Sequence, residues 1–532
     1  MGKTMILNAA QSSIISALNQ IRERLPVIDR TIDRFGGQSL EDYCKAQPYH
    51  RPQPLQPIND LVEVVRSYCR PILGQEITSI LAADLEKYPL VLTANHHGVD
   101  YFAQSFQGNL LFHYYRQKAL GPAATIPVFS CGGVPLCNSS YPKGLLIYRA
   151  SQPDTGEFPY RLSIFPNVLA QTQVLAAPRF QRNMVEKAIQ QLYKSLQAGE
   201  VSKTIGETVL NLLEQDYLDD FILNLPLYSA QVTALNHRLG RRIFTGDQSP
   251  PQLIYLEFET IAAELIKRDL ADQDSLTYRI FFDPDLRRQV IQNLDHQKGC
   301  WDHNRLTDIP AGAVGSATRV NGVSGYGTIF FWGLDIIGQH YPLTLVESLP
   351  GGPGLAGVDG QGICHEISFT PAGVLEALER KQIYPNLFTM FMVVSFARGV
   401  ECHGGYFQSD YLPAMQAGLI ESLQVIAGYE RYADAVASVT TNCYMSGMMF
   451  LLDRLGKEQA GPAGPLELMD RGGITPQFLK EVFQSVSVDA AHQIGIFNIY
   501  PDVFQGHERL SGWQLQFSRE LIKANLGCTV SQ

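Results

Sequence analysis

His96, His97 and Asp100 put two imidazoles and a carboxylate within five residues, directly after the apolar run Leu90-Val91-Leu92-Thr93. Imidazoles titrate near neutral pH and shuttle protons, and a nearby carboxylate can orient or charge the ring. The three residues are the candidate catalytic groups, with Asn95 and Gln104 on either side as candidate substrate-orienting amides. As loop residues, the two histidines are expected to be exposed and to tolerate alanine. The structural alternative is a helix N-cap cluster in which Asn95 or Asp100 accepts backbone N–H bonds.

Two further clusters follow apolar runs. In "IYLEFET", Glu257 and Glu259 are two apart, which on a strand puts both on one face. In "SFARGVECHGGYFQSDYLPAMQ", Arg398, His403, Gly404, Gly405, Gln408 and Asp410 precede a helix-like segment. Glycines at such a place let backbone N–H groups approach an anionic ligand, so all eight residues are candidate substrate-binding groups.

Other motifs carry less. Gly352-x-Gly354-x-x-Gly357 has the dinucleotide-binding spacing, but Val358-Asp359-Gly360 cannot open the helix that holds the pyrophosphate, so a ligand-covering loop is expected. Cys300 with His303, Cys364-His365 and Cys402-His403 have zinc-type donors. Adjacent strand residues point to opposite faces, so the expectation is buried cysteines, with no metal ligand set assigned. His96-x3-Asp100 matches the His-x-x-x-Asp core of one acyltransferase family, but the glycine expected after the aspartate is Tyr101.

The elements that must position these groups read as α/β. Apolar spacing predicts helices through the first ~85 residues, strands over 90–94, 125–130 and 145–149, and a helix over 102–116. Helical stretches over 182–242 lead to a strand-into-helix unit over 253–269, then strands over 327–331, 341–347, 363–370 and 389–396. Helices are expected over 371–380, 411–429 and beyond 476. The expected fold is a Rossmann-like core with a parallel or mixed sheet and large helical insertions. Its divisions are an N-terminal helical region (1–88), a first βαβ part (89–180), a helical insertion (181–250), a second core part (251–408) and a C-terminal helical region (409–532).

The chain has 532 residues, 42 basic against 52 acidic, giving a net charge of −10, which argues against a nucleic-acid partner. No segment has the ~18 consecutive apolar residues of a membrane span, and the nine cysteines are scattered with no Cys-x-x-Cys pair. A cytoplasmic protein with reduced thiols is expected, acting on small molecules, with a homodimer as the candidate assembly.

Thr93-Ala94-Asn95-His96-His97-Gly98 resembles the Thr-Gly-Gln-Gln-x-Gly turn after the first core strand of the cysteine-adding enzymes of bacillithiol biosynthesis. Gly404-Gly405-Tyr406-Phe407-Gln408-Ser409-Asp410-Tyr411 is similar in position and character to that family's Gly-Gly-Pro-Gly-Glu turn into a helix. The family's Pro-Gly-Glu is absent here, and "SCGGVPLCN" stands where it has an acidic run. The resemblance implies a shared fold more than a shared reaction. On it rests the expectation of a ligase or transferase that joins an amino acid or amine to a small acceptor, with ATP as the candidate cofactor ahead of zinc. It also implies that Asn95 orients the substrate, His96 or His97 moves a proton, and Gly404-Gly405 binds an anionic group. The alternatives are a non-catalytic small-molecule-binding relative, and an acyltransferase or metal-dependent enzyme using the Asn95–Asp100 loop.

Overall fold

The computed structural model describes residues 2–121, 124–152, 157–246, 250–302, 328–349, 352–454, 459–524 and 528–529. Five short strands form the central sheet: β1 (Leu90–Leu92), β2 (Thr125–Ser130), β3 (Gln252–Glu257), β4 (Glu401–Gly405) and β5 (Tyr444–Ser446). They lie in the order β5-β4-β1-β2-β3, and every pairing is parallel. The interiors of β1, β2 and β3 are apolar because both faces are covered, whereas β4 carries the buried Glu401 and His403. Leu90, Leu92, Ile126, Val128, Leu253 and Tyr255 enter one core. Val91, Phe129, Ile254, Leu256 and Cys402 enter the other, following the two-residue strand period.

Five helices frame the sheet: α1 (Ile58–Lys87), α2 (Ala103–Leu120), α3 (Tyr228–Ile243), α4 (Phe258–Asp269) and α5 (Gln408–Gln424). Phe106 and Leu110 of α2 and Val232 and Leu235 of α3 pack in the first core. Leu61 of α1, Ile261 of α4 and Leu412 of α5 pack in the second. The chain runs outward from β1 to β3, then returns to add β4 and β5 on the other side of β1. The helices after β1 and β4 therefore leave toward opposite faces, and such a reversal opens a crevice at the strands' carboxyl ends. α1 is kinked where Gly74 takes φ +79° shortly after Pro71, whose ring nitrogen has no N–H to donate.

The expected β1–α2–β2 and β3–α4 units are present. Leu387–Phe391, however, is a helix that continues as a wider turn over Met392–Phe396, where a strand was expected. That run is apolar throughout, so its periodicity does not distinguish strand from helix, and Asn386 settles it by accepting the Thr389 N–H at 2.9 Å. Gly352–Val358 is the middle strand of a small antiparallel sheet with Thr344–Leu349 and Cys364–Ser368, not a loop. Gly144–Ile147 pairs antiparallel with Tyr160–Ser163, outside the central sheet. The expected strand over 327–331 lies partly outside the described residues, where strand structure begins at Phe331. No helix among the described residues is long and apolar enough to cross a membrane.

Candidate functional site

The ladder between β1 and β2 continues past both strands. Cys131 N donates to Asn95 O at 2.9 Å, and His97 N donates to Cys131 O at 2.7 Å. This pairing turns the two histidines inward, contrary to the expectation of an exposed loop. His97 is 0% exposed, and only His96 stays half-buried, with Nδ1 3.2 Å from Ser140 Oγ. The His97 ring lies between two hydroxyls, Nδ1 at 2.8 Å from Ser130 Oγ and Nε2 at 3.0 Å from Ser229 Oγ. Burial lowers its pKa to about 4, so the ring is neutral at neutral pH. A neutral imidazole between two hydroxyls can accept a proton on one nitrogen and release one from the other.

Glu257 and Glu259 meet at the same edge by a different route from the one expected. Glu257 ends β3, whereas Glu259 lies in the first turn of α4, so the pair does not share a strand face. Glu259 reaches across to β2 and accepts N–H bonds from Gly132 and Gly133, both at 2.7 Å. The two glycines allow that approach: a Cβ at Gly132 would stand 3.1 Å from Glu257 Cγ, and one at Gly133 2.9 Å from Glu259 Oε1. Burial, and then the charge of Glu257, raise Glu259 to about 7 against those amide bonds. Glu257 is also raised by burial, partly offset by the Ser229 and Thr260 hydroxyls, and its buried Oε2 has no hydrogen-bond partner. The Tyr384 hydroxyl, bonded to His340 Nδ1 at 2.8 Å, would lie 3.3 Å from a Cβ at Gly133. His96, Cys131 and Gly133 are half-buried and form the rim of the cluster.

Asp100 belongs to a different network. It accepts from Ser105 Oγ at 2.5 Å, from Asn109 Nδ2 at 3.0 Å and from the Tyr255 hydroxyl. Asn95 Nδ2 donates to Asn109 Oδ1 at 2.8 Å and to Tyr255 Oη at 2.6 Å. Burial raises Asp100 to about 6, and the three donors hold it against a larger rise. Asp100 does not cap α2, whose N-cap Phe102 has no side-chain cap bond. Asp100 and Asn95 instead tie the end of β1 to α2 and β3.

At the β1/β4 reversal the turns after the two strands start side by side, with Ala94 Cβ 3.9 Å from a Cβ placed on Gly405. The space is filled by Gln408, which accepts from Thr93 Oγ1 at 2.9 Å and donates to Cys402 O at 3.1 Å. Gly404 N donates to Cys443 O at 2.9 Å, so this amide is not free for an anion, contrary to expectation. Gln104 is buried on α2 with an unpartnered Oε1.

Three other candidates lie away from this edge. Arg398 is fully buried in an ion pair with Asp269 at 2.6 Å and holds α4 to the segment before β4. Asp410 pairs with Lys298 at 2.7 Å. His403 lies within β4 between Phe112 and Tyr115, with ring centroids at 5.4 and 4.8 Å. Cys402 points into the opposite core, as the alternation argument required. His303, the expected companion of Cys300, lies outside the described residues.

Sequence reasoning missed Ser130, Gly132, Gly133, Ser229 and Tyr384. A Gly-Gly pair directly after a strand was weighed at Gly404-Gly405, and the same signal stood unread in "SCGGVPLCN". No protein-family model, no curated protein and no solved structure matches the chain.

Proposed function

We propose that the chain is a Rossmann-like enzyme of small-molecule biosynthesis, working in the cytoplasm, whose proton transfers take place at the carboxyl ends of β1, β2 and β3. The observation that carries this reading is the convergence of Glu257, Glu259 and the hydroxyl-flanked His97 on one buried edge. Glu259 at about 7 is poised to act as a general base at neutral pH. The reaction is the joining of an amino acid or amine to a small acceptor. The ammonium loses its proton to Glu259, the freed nitrogen forms the C–N bond, and the acceptor's leaving group, with ATP as the candidate activator, departs. His97 passes the proton between Ser130 and Ser229, and Asp100 and Asn95 keep the β1 end in place.

The test is incubation of the purified chain with amine and acceptor mixtures, with and without ATP, followed by mass spectrometry. Consumption of an amine by the wild type and its loss in Glu259→Gln is the expected result. The rival reading, a non-catalytic small-molecule-binding relative, draws on Gln408 filling the β1/β4 crevice. A metabolite that raises the melting temperature and is never consumed would favour that rival.

A further inference from the structure

A second buried cluster lies where β4 and β5 meet α2. Glu401 and His403 are two apart on β4 and face the same core, and the β4–β5 pairing brings Cys443 beside them. Donor atoms of the three side chains lie within 4.8 Å of one another. His403 Nε2 is 2.7 Å and Cys443 Sγ 3.3 Å from the same oxygen, Glu401 Oε1. Glu401 and His403 are 0% exposed and Cys443 is 4% exposed. Two atoms in this enclosed place lack partners, Glu401 Oε2 and His403 Nδ1. Among the described residues, the only ion-pair partner of Glu401 is His403.

We propose that Glu401, His403 and Cys443 form a binding site for a divalent transition-metal ion, zinc foremost. Sulfur, imidazole nitrogen and carboxylate oxygen are the donor types zinc takes, and soft thiolate disfavours magnesium and calcium. Charge supports the assignment. A carboxylate buried with no Lys or Arg partner is costly, whereas a +2 ion with one carboxylate and one thiolate is neutral. Binding takes the site from a net charge of −1 to zero: the +2 ion enters, the Cys443 thiol releases one proton to solvent as its sulfur takes the metal, and His403 binds as the neutral ring. Three protein ligands leave a coordination position for a small ligand, the arrangement of catalytic zinc sites. The residues are those of a different edge of the sheet from Glu257 and Glu259, so the inference stands independently of the proposed reaction.

The experiment strips the full chain with a chelator and titrates it with Co²⁺ alone while recording the near-ultraviolet thiolate-to-cobalt charge-transfer band. The expected result is about one ion per chain, a band displaced by Zn²⁺, its loss in Cys443→Ser and its retention in Cys402→Ser, whose sulfur faces the other core. A folded wild type with no band, or a band that survives in Cys443→Ser, overturns the proposal. Should Cys443→Ser not fold, X-ray absorption of the zinc-loaded wild type decides: one sulfur at about 2.3 Å with lighter ligands at about 2.0 Å is expected. A metal shell without sulfur overturns the site.

Discussion

Asp100 and Glu259 are both fully buried acids at the carboxyl edge of one sheet, and burial raises both, to about 6 and about 7. Their surroundings differ. Asp100 is gripped by three side-chain donors from α2 and β3, whereas Glu259 rests on two glycine amides beside a second carboxylate with a bare oxygen. A closed network of satisfied groups specifies a structure; an open one keeps a proton available. In the proposed reaction this difference assigns Asp100 to positioning and Glu259 to proton transfer.

The largest effect that can break this contrast is on turnover. Glu259→Gln should lower it by ~10²- to 10⁴-fold, the usual range for a lost general base, while remaining folded by circular dichroism. Undiminished turnover would remove Glu259 from the chemistry. Asp100→Asn turns an N–H toward the Asn109 and Tyr255 donors and should cost about 3 kcal/mol in urea unfolding, leaving a buried donor unpaired. A neutral effect there would show that the Asp100 network is not structural.

Stability depends on pH through both edges of the cluster. The folded-state pKa of Glu259 lies above its ordinary 4.5, so its contribution to stability is fully present below 4.5 and is lost as pH rises through about 7. The difference in unfolding free energy between wild type and Glu259→Gln should change by about 3 kcal/mol over that window, at 1.36 kcal/mol per pKa unit. His97 has the opposite sign: its pKa is lowered from 6.5 to about 4, so its contribution is lost as pH falls from about 6.5 to about 4. The smallest effect is at the rim. His96→Ala should shift stability by less than about 1 kcal/mol, and His97→Ala by about 2, because only His97 leaves two buried hydroxyls without their ring partner. Equal thermal shifts in the two variants would contradict the assigned burial.

Much of this fold was legible because strands buried on both faces have apolar interiors, as Leu90–Leu92 and residues 126–129 and 253–256 do. Tyr444–Ser446 was not found: it is three residues long, ends in a serine, and the longer apolar run over 448–452 follows it. Leu387–Phe391 was misread because β-branched Val393 and Val394 follow an apolar run that helix and strand share. At the site, His97 and the two glutamates were visible by type, but their partners were not. Ser229 comes from α3, almost a hundred residues after Ser130, and only the fold brings the two to one imidazole.

The most direct measurement is a ¹³C-carboxyl NMR titration of glutamate-labelled protein, with Glu259→Gln supplying the assignment. A resonance that titrates with a midpoint of about 7 and is absent from the variant is the expected result. A Glu259 midpoint at the ordinary 4.5 would contradict it, leaving the β2–β3 edge without its base.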